Sequence, residues 1–199
     1  MSYRIFLAGA SGAIGQRLVP LLRAAGHSVA GTTRSSSKSG QVRTLGAGPV
    51  IVDVFDTDAL ARAVASFEPD IVIHQLTDLP PGLDPSRMDE AIVRNARIRG
   101  EGTANLVNAA LAAGARRLVA QSIAWAYARG PEPHRESDPL DLGAEGSRGV
   151  TIGGVAALED RVLNSPPLAG VVLRYGRLYG PGTGVDEPPA SLPLHVDAA

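Results

Sequence analysis

The chain opens on Tyr3-Arg-Ile-Phe-Leu-Ala8, runs through Gly9-Ala-Ser11-Gly12-Ala-Ile14-Gly15, and continues as Gln16-Arg-Leu-Val-Pro-Leu-Leu-Arg-Ala-Ala25. The first segment is a short apolar run suited to a buried strand, and the last has the apolar spacing of a helix. Between them each glycine stands three residues from the next. Gly9 permits a tight turn out of the strand. Gly12 lets backbone approach a pyrophosphate with no side chain in the way, and Gly15 lets the helix pack closely. The helix N-terminus adds free N–H groups and the positive end of a dipole. Glycines alone are a weak signal. A strand before them and a helix after them make the stretch a nucleotide phosphate site. Gly9, Ser11, Gly12, Ile14 and Gly15 are therefore candidates for holding a dinucleotide.

Outward from this point, strand-like and helix-like segments alternate. Ser28–Thr33, Val50–Val54, Ile71–Leu76, Arg117–Gln121 and Gly170–Tyr175 read as strands. Helices are expected from Thr57 or Asp58 to about Phe67, from Ser86 to Ala113, and from Gly154 to Leu163. Residues 34–40, 79–85 and 130–149 read as loops. This rhythm implies an α/β fold, a doubly wound parallel sheet with right-handed crossovers. Ligands in such sheets bind beyond the carboxyl ends of the strands.

Composition narrows the function classes. Apolar residues make up 44% of the 199, enough for a sizeable core. A net charge of −1 exerts no pull on nucleic acid or anionic membrane. Aromatics at 4% argue against base-stacking platforms. There is no cysteine, hence no thiolate nucleophile and no thiolate metal site. The first strand starts at once, leaving no room for a signal peptide, and no run has transmembrane length, so a cytoplasmic location is expected.

The second strand ends in Thr32-Thr33-Arg34, followed by Ser35-Ser-Ser-Lys38. An acid here would bond the ribose 2′-hydroxyl of NAD. An arginine among hydroxyls suits a 2′-phosphate instead, so NADP is the expected cofactor, with NAD the alternative. Asp53 can accept from an adenine amino group with Val54 against the ring, or can cap a turn. The two readings carry equal weight.

These segments together resemble the extended short-chain dehydrogenase/reductases of the NAD-dependent epimerase/dehydratase type. The resemblance rests on Gly9-x-x-Gly12-x-x-Gly15, Asp53-Val54 and Pro69-Asp-Ile-Val-Ile-His74. It continues through Asn95…Gly102-Thr103-Ala-Asn105-Leu106, Arg117-Leu-Val-Ala-Gln-Ser122, Leu173-Arg174-Tyr-Gly…Tyr179-Gly180-Pro181-Gly182 and His195-Val196-Asp197. It implies a Rossmann domain over residues 1–175 and a remnant of a substrate-binding region over residues 176–199. It also implies a small or sugar-like carbonyl or hydroxyl substrate, and a homodimer built on the long helix near Asn95.

The departures matter as much. The family's acid/base is a tyrosine four residues before a lysine. This chain has a single lysine, Lys38, and no Tyr-x-x-x-Lys. Counting back from Leu158-Glu159-Asp160 puts Thr151 and Val155 at those positions. Ser122 is the nearest match to the family's Ser or Thr after the fifth strand, and Tyr127 is the candidate replacement phenol. Both are catalytic candidates. Two function classes follow: an NADP-preferring oxidoreductase with a non-standard site, or a dinucleotide-binding or redox-sensing protein without catalysis. A shortened version of a longer enzyme is a third possibility. His74 reads as a strand-end residue by the cofactor rather than a catalytic base, and His134 and His195 lie in Pro-rich loops without ligand spacing, so no metal is expected. Arg94, Arg97 and Arg99 read as a solvated, ion-paired helix face. The apolar stretch Leu192–Val196 must fold back, meet another subunit, or stay mobile.

Overall fold

The computed structural model describes residues 1–199 apart from the side chain of Pro81. The opening apolar run forms β1 (Arg4–Ala8). It pairs in parallel with β2 (Ser28–Thr33) on one side and β4 (Ile71–His74) on the other. β3 (Gly48–Ile51), β5 (Arg117–Ile123) and β6 (Ala169–Tyr175) complete a parallel sheet in the order β3-β2-β1-β4-β5-β6. The order reverses between β1 and β4, and this switch point is where a doubly wound sheet leaves a crevice. The period-two pleat sends Phe6 and Ala8 to one buried layer and Ile5 and Leu7 to the other. Helices cover both layers, as a parallel sheet requires.

On one side, Phe6, Val72, Leu106, Leu118 and Leu158 form the larger core. The helices are α1 (Ala13–Ala24), α2 (Ser39–Thr44), α3 (Thr57–Phe67), α4 (Met88–Arg97), α5 (Thr103–Ala112) and α6 (Gly146–Leu163). Asp56 caps α3 by accepting from Ala59 N at 2.9 Å, one residue ahead of the expected cap. The expected long helix is α4 and α5 joined by a π turn, Ile98–Gly102.

Other boundaries also differ from the sequence reading. β3 ends at Ile51, so Asp53 and Val54 lie in the turn beyond it. The polar stretch after β2 coils into a short 3-10 turn, Ser36–Lys38, and then α2. α6 starts at Gly146, well before Gly154. Its glycines argue against a helix locally, but packing overrides them. A Cβ on Gly154 would lie 2.9 Å from Ala96 Cα, so α6 needs bare backbone against α4. The C-terminal stretch folds back. β7 (Arg177–Tyr179) pairs with β8 (Pro193–His195), Val196 is buried, and Asp197 meets Arg17 of α1 at 2.8 Å. Among the described residues, no helix is long and apolar enough to cross a membrane.

Candidate functional site

A cleft of about 1220 Å³ opens at the carboxyl ends of the strands. Gly9, Ser11, Gly12 and Ile14 line it at the switch point. Gly9 has φ +96°, and a Cβ there would fall 2.7 Å from Gln75 O. The turn thus needs glycine on both counts. Gly12 is different: a Cβ would meet only Gly9 O, at 3.3 Å, with open cleft beyond. Gly15 does not line the cleft. A Cβ there would strike Gly9 O at 2.4 Å, so its role is to seat α1 against the turn. No side chain caps the N-terminus of α1, which leaves its N–H groups open to an anion.

Beyond β2, Arg34, Ser35, Ser36 and Lys38 line one end of the cleft. Arg34 pairs with Asp78 at 3.1 Å, and Asp78 also takes Arg94 at 3.2 Å. Val54 lines the main cleft, whereas Asp53 lines a smaller recess beside it with Arg34 and Arg97. Asp53 Oδ1 accepts from Phe55 N at 3.0 Å, so it does cap a turn.

The two expected catalytic residues stand elsewhere. Ser122 is fully buried and donates to Glu159 Oε1 at 2.6 Å. The pleat turns Ser122 toward α6 and presents Gln121 and Ile123 to the cleft. Tyr127 also lies off the cleft lining. It stacks on His134, with ring centroids 4.6 Å apart, and the Arg174 guanidinium lies over the Tyr127 ring, 4.6 Å from its centroid. Glu159 holds that guanidinium at 2.6 Å and pushes its pKa up. Ser122 and Tyr127 thus meet around one buried ion pair, which joins α6, β5 and β6.

Of the positions matched to the tyrosine and lysine, Thr151 lines the cleft and Val155 is fully buried among apolar side chains. The Thr151 hydroxyl donates to Ser147 O at 3.0 Å. The structure adds residues the sequence did not single out. Tyr175, at the end of β6, lines the cleft beside the Gln75 amide, and burial pushes its phenol pKa up. Gln75 Oε1 is buried without a partner. His74 is enclosed, and burial, helped by the nearby Arg99 charge, pulls its pKa down to about 4. Its Nδ1 accepts from Leu76 N at 3.2 Å, so the ring proton sits on Nε2 and points to Thr103 Oγ1 at 3.0 Å. Among the described residues no cluster is placed to hold a metal.

The fold and its glycine turn define a doubly wound sheet of the Rossmann type. The chain belongs to the NAD-dependent epimerase/dehydratase family, whose model matches residues 5–197. It is 48% identical over 183 residues to a 3-diazoavenalumate denitrifying reductase from a Streptomyces species, covering 91% of this chain and 58% of that one. Among solved structures it is similar to the Bordetella bronchiseptica enzyme WbmG in complex with NAD and UDP, at 25% identity and TM-score 0.69, over 91% of this chain and 55% of that one. It also shares its fold with a UDP-glucose 4-epimerase from Thermotoga maritima, at 20% identity and TM-score 0.73, over 98% of this chain and 60% of that one. The chain therefore spans somewhat over half the length of these relatives.

Proposed function

We propose that the cleft binds NADPH and directs its hydride to an electrophile that needs no proton from the protein. The phosphates belong at the open N-terminus of α1, over Gly12, where no Cβ intrudes. Arg34 and Lys38 with the adjoining serines favour a 2′-phosphate, and Val54 would lie against the adenine. The WbmG complex, with NAD, supports a nicotinamide dinucleotide.

The carrying observation is the cleft wall itself. Ile123 and Thr151 line it, Val155 is buried outside it, and the sequence holds no Tyr-x-x-x-Lys, so this reading does without the family's usual proton transfer. The Streptomyces relative is named for reduction of a diazo compound. Arenediazonium chemistry fits such a wall. Held at Gly12, Arg34 and Lys38, a dinucleotide would supply a hydride to the arene carbon, the C–N bonding pair leaving with N2, the positive charge passing to the dinucleotide and no proton exchanged. Gln121 and Ile123 would shape the space, and the Tyr175 phenol, kept neutral by burial, would donate a hydrogen bond.

The test is incubation with NADPH deuterated at nicotinamide C4 and a benzenediazonium salt. Deuterium at the carbon that lost N2, above the protein-free background, is the expected result. Tight NADPH binding without transfer would leave the non-catalytic reading in its place.

A further inference from the structure

Arg99 breaks the pattern of the arginines around it. Arg94 and Arg97 are partly exposed and paired, with Asp78 and Glu90 and with Glu101 respectively. Arg99 sits on the π turn between α4 and α5, is only 8% exposed, and lines the cleft. The solvated face expected from sequence does not include it. The π turn shifts the helical phase and turns its side chain inward.

No carboxylate and no hydrogen-bond acceptor meets its guanidinium among the described residues. Burial pulls its pKa down to about 10, which still leaves it charged at neutral pH. Its titratable neighbour, His74, has both ring nitrogens engaged and stays neutral. A buried charge without a partner is costly to keep. One that faces a binding cleft gains its partner when the cleft fills.

We infer that Arg99 is an anion receptor in this cleft and that its ligand is a carboxylate of the substrate. This rests on the reading of the cleft as a hydride-transfer site. The dinucleotide's phosphates have their own partners: the α1 N-terminus, Arg34 and Lys38, beyond β1 and β2. Arg99 comes instead from the helices that pack on β4 and β5, where Leu106, Val72 and Leu118 share one core. A guanidinium binds a carboxylate through two parallel hydrogen bonds, which fixes orientation as well as charge. The substrate named for the Streptomyces relative is, by its ending, a carboxylate.

The experiment is calorimetric titration of the NADP-saturated protein with benzoate and cinnamate, and with benzamide and cinnamamide. In the parent, a carboxylate should bind at least tenfold more tightly than its amide. Arg99→Gln should erase that difference while moving the NADPH Kd less than twofold. Its ligand-free Tm should not fall, because the substitution removes an unpaired charge. Arg99→Lys keeps the charge but loses the paired geometry, so it should weaken carboxylate binding several-fold and leave amides unchanged. It carries the comparison if the glutamine variant misfolds. Equal binding of carboxylates and amides by the parent, or no binding of either, would overturn the inference. So would a tenfold loss of NADPH affinity in Arg99→Gln, which would put the guanidinium on a dinucleotide phosphate. The readout is binding, so failed hydride transfer to a diazonium salt would sink only the proposed reaction.

Discussion

Gly12 and Gly15 belong to one sequence motif but answer to different constraints. A Cβ on Gly12 points into open cleft, whereas one on Gly15 strikes Gly9 O at 2.4 Å. Gly12→Val should therefore fold, with a melting temperature near the parent's, and lose measurable NADPH binding by fluorescence titration. Gly15→Val should lose the fold itself. A Gly12→Val protein that binds NADPH normally would show that the phosphates lie elsewhere. Arg34→Ala tests cofactor choice. A charge-assisted contact to a 2′-phosphate contributes roughly 1.5–3 kcal/mol, so the NADPH Kd should rise about tenfold to a hundredfold with NADH nearly unchanged. Equal parental affinity for the two would defeat the NADP reading. The glycine turn was legible because its demands are local: a turn, a close approach and a helix start within seven residues. Ser122 was not. Which of Gln121, Ser122 and Ile123 faces the cleft depends on the phase of the pleat, and a one-residue offset inverts it. Arg99 was missed for the same kind of reason, because a π turn changes which helical positions share a face.

Among the elements, α6 is tied to the sheet by charge. Glu159, buried on α6, accepts from Ser122 of β5 and holds Arg174 of β6 at 2.6 Å. Glu159→Gln should cost roughly 3–5 kcal/mol in denaturant unfolding, since it strands a largely buried guanidinium. Glu159→Leu combined with Arg174→Met should cost much less, because neither charge remains. Equal losses would mean that side-chain packing, not the uncompensated charge, sets the cost. β4 and α5 meet at another polar contact, His74 with Thr103. His74 is held neutral in the fold, with a pKa near 4 against an ordinary 6.5. Below pH 6.5 the unfolded chain takes up a proton that the fold refuses. Stability is thus complete above pH 6.5 and falls as the pH drops toward 4, by up to about 3 kcal/mol. Unfolding midpoints from pH 7 to 4 should show this slope, and His74→Gln should flatten it. The sequence revealed both elements but not their extents. Four glycines lie within residues 146–154 of α6, and only contact with Ala96 explains why the helix tolerates Gly154.

For the molecule as a whole, the residues after Tyr175 belong to the cleft rather than to a separate appendage. Gly176, Leu178, Gly182 and Val185 line it, while Val196 and Asp197 anchor the far end on α1. The apolar stretch Leu192–Val196 thus folds back on its own chain, with Val196 buried and Leu192 left half exposed. The sequence could not show this, because residues 180–192 have no periodicity and the pairing of β7 with β8 spans them. A ligand that fills the cleft therefore touches the sheet, α4 with the π turn after it, and this C-terminal wall at once, and should stabilise all of them together. At a hundredfold excess over Kd, such binding adds about 2.7 kcal/mol. For a chain of this size that raises Tm by roughly 5–10 °C. Hydrogen exchange localises the effect. With NADPH, protection should increase at the glycine turn and also across residues 176–185, while α5, which adds no residue to the cleft lining, changes little. Protection confined to the turn, with the C-terminal wall exchanging as fast as before, would mean that this wall does not close on the dinucleotide.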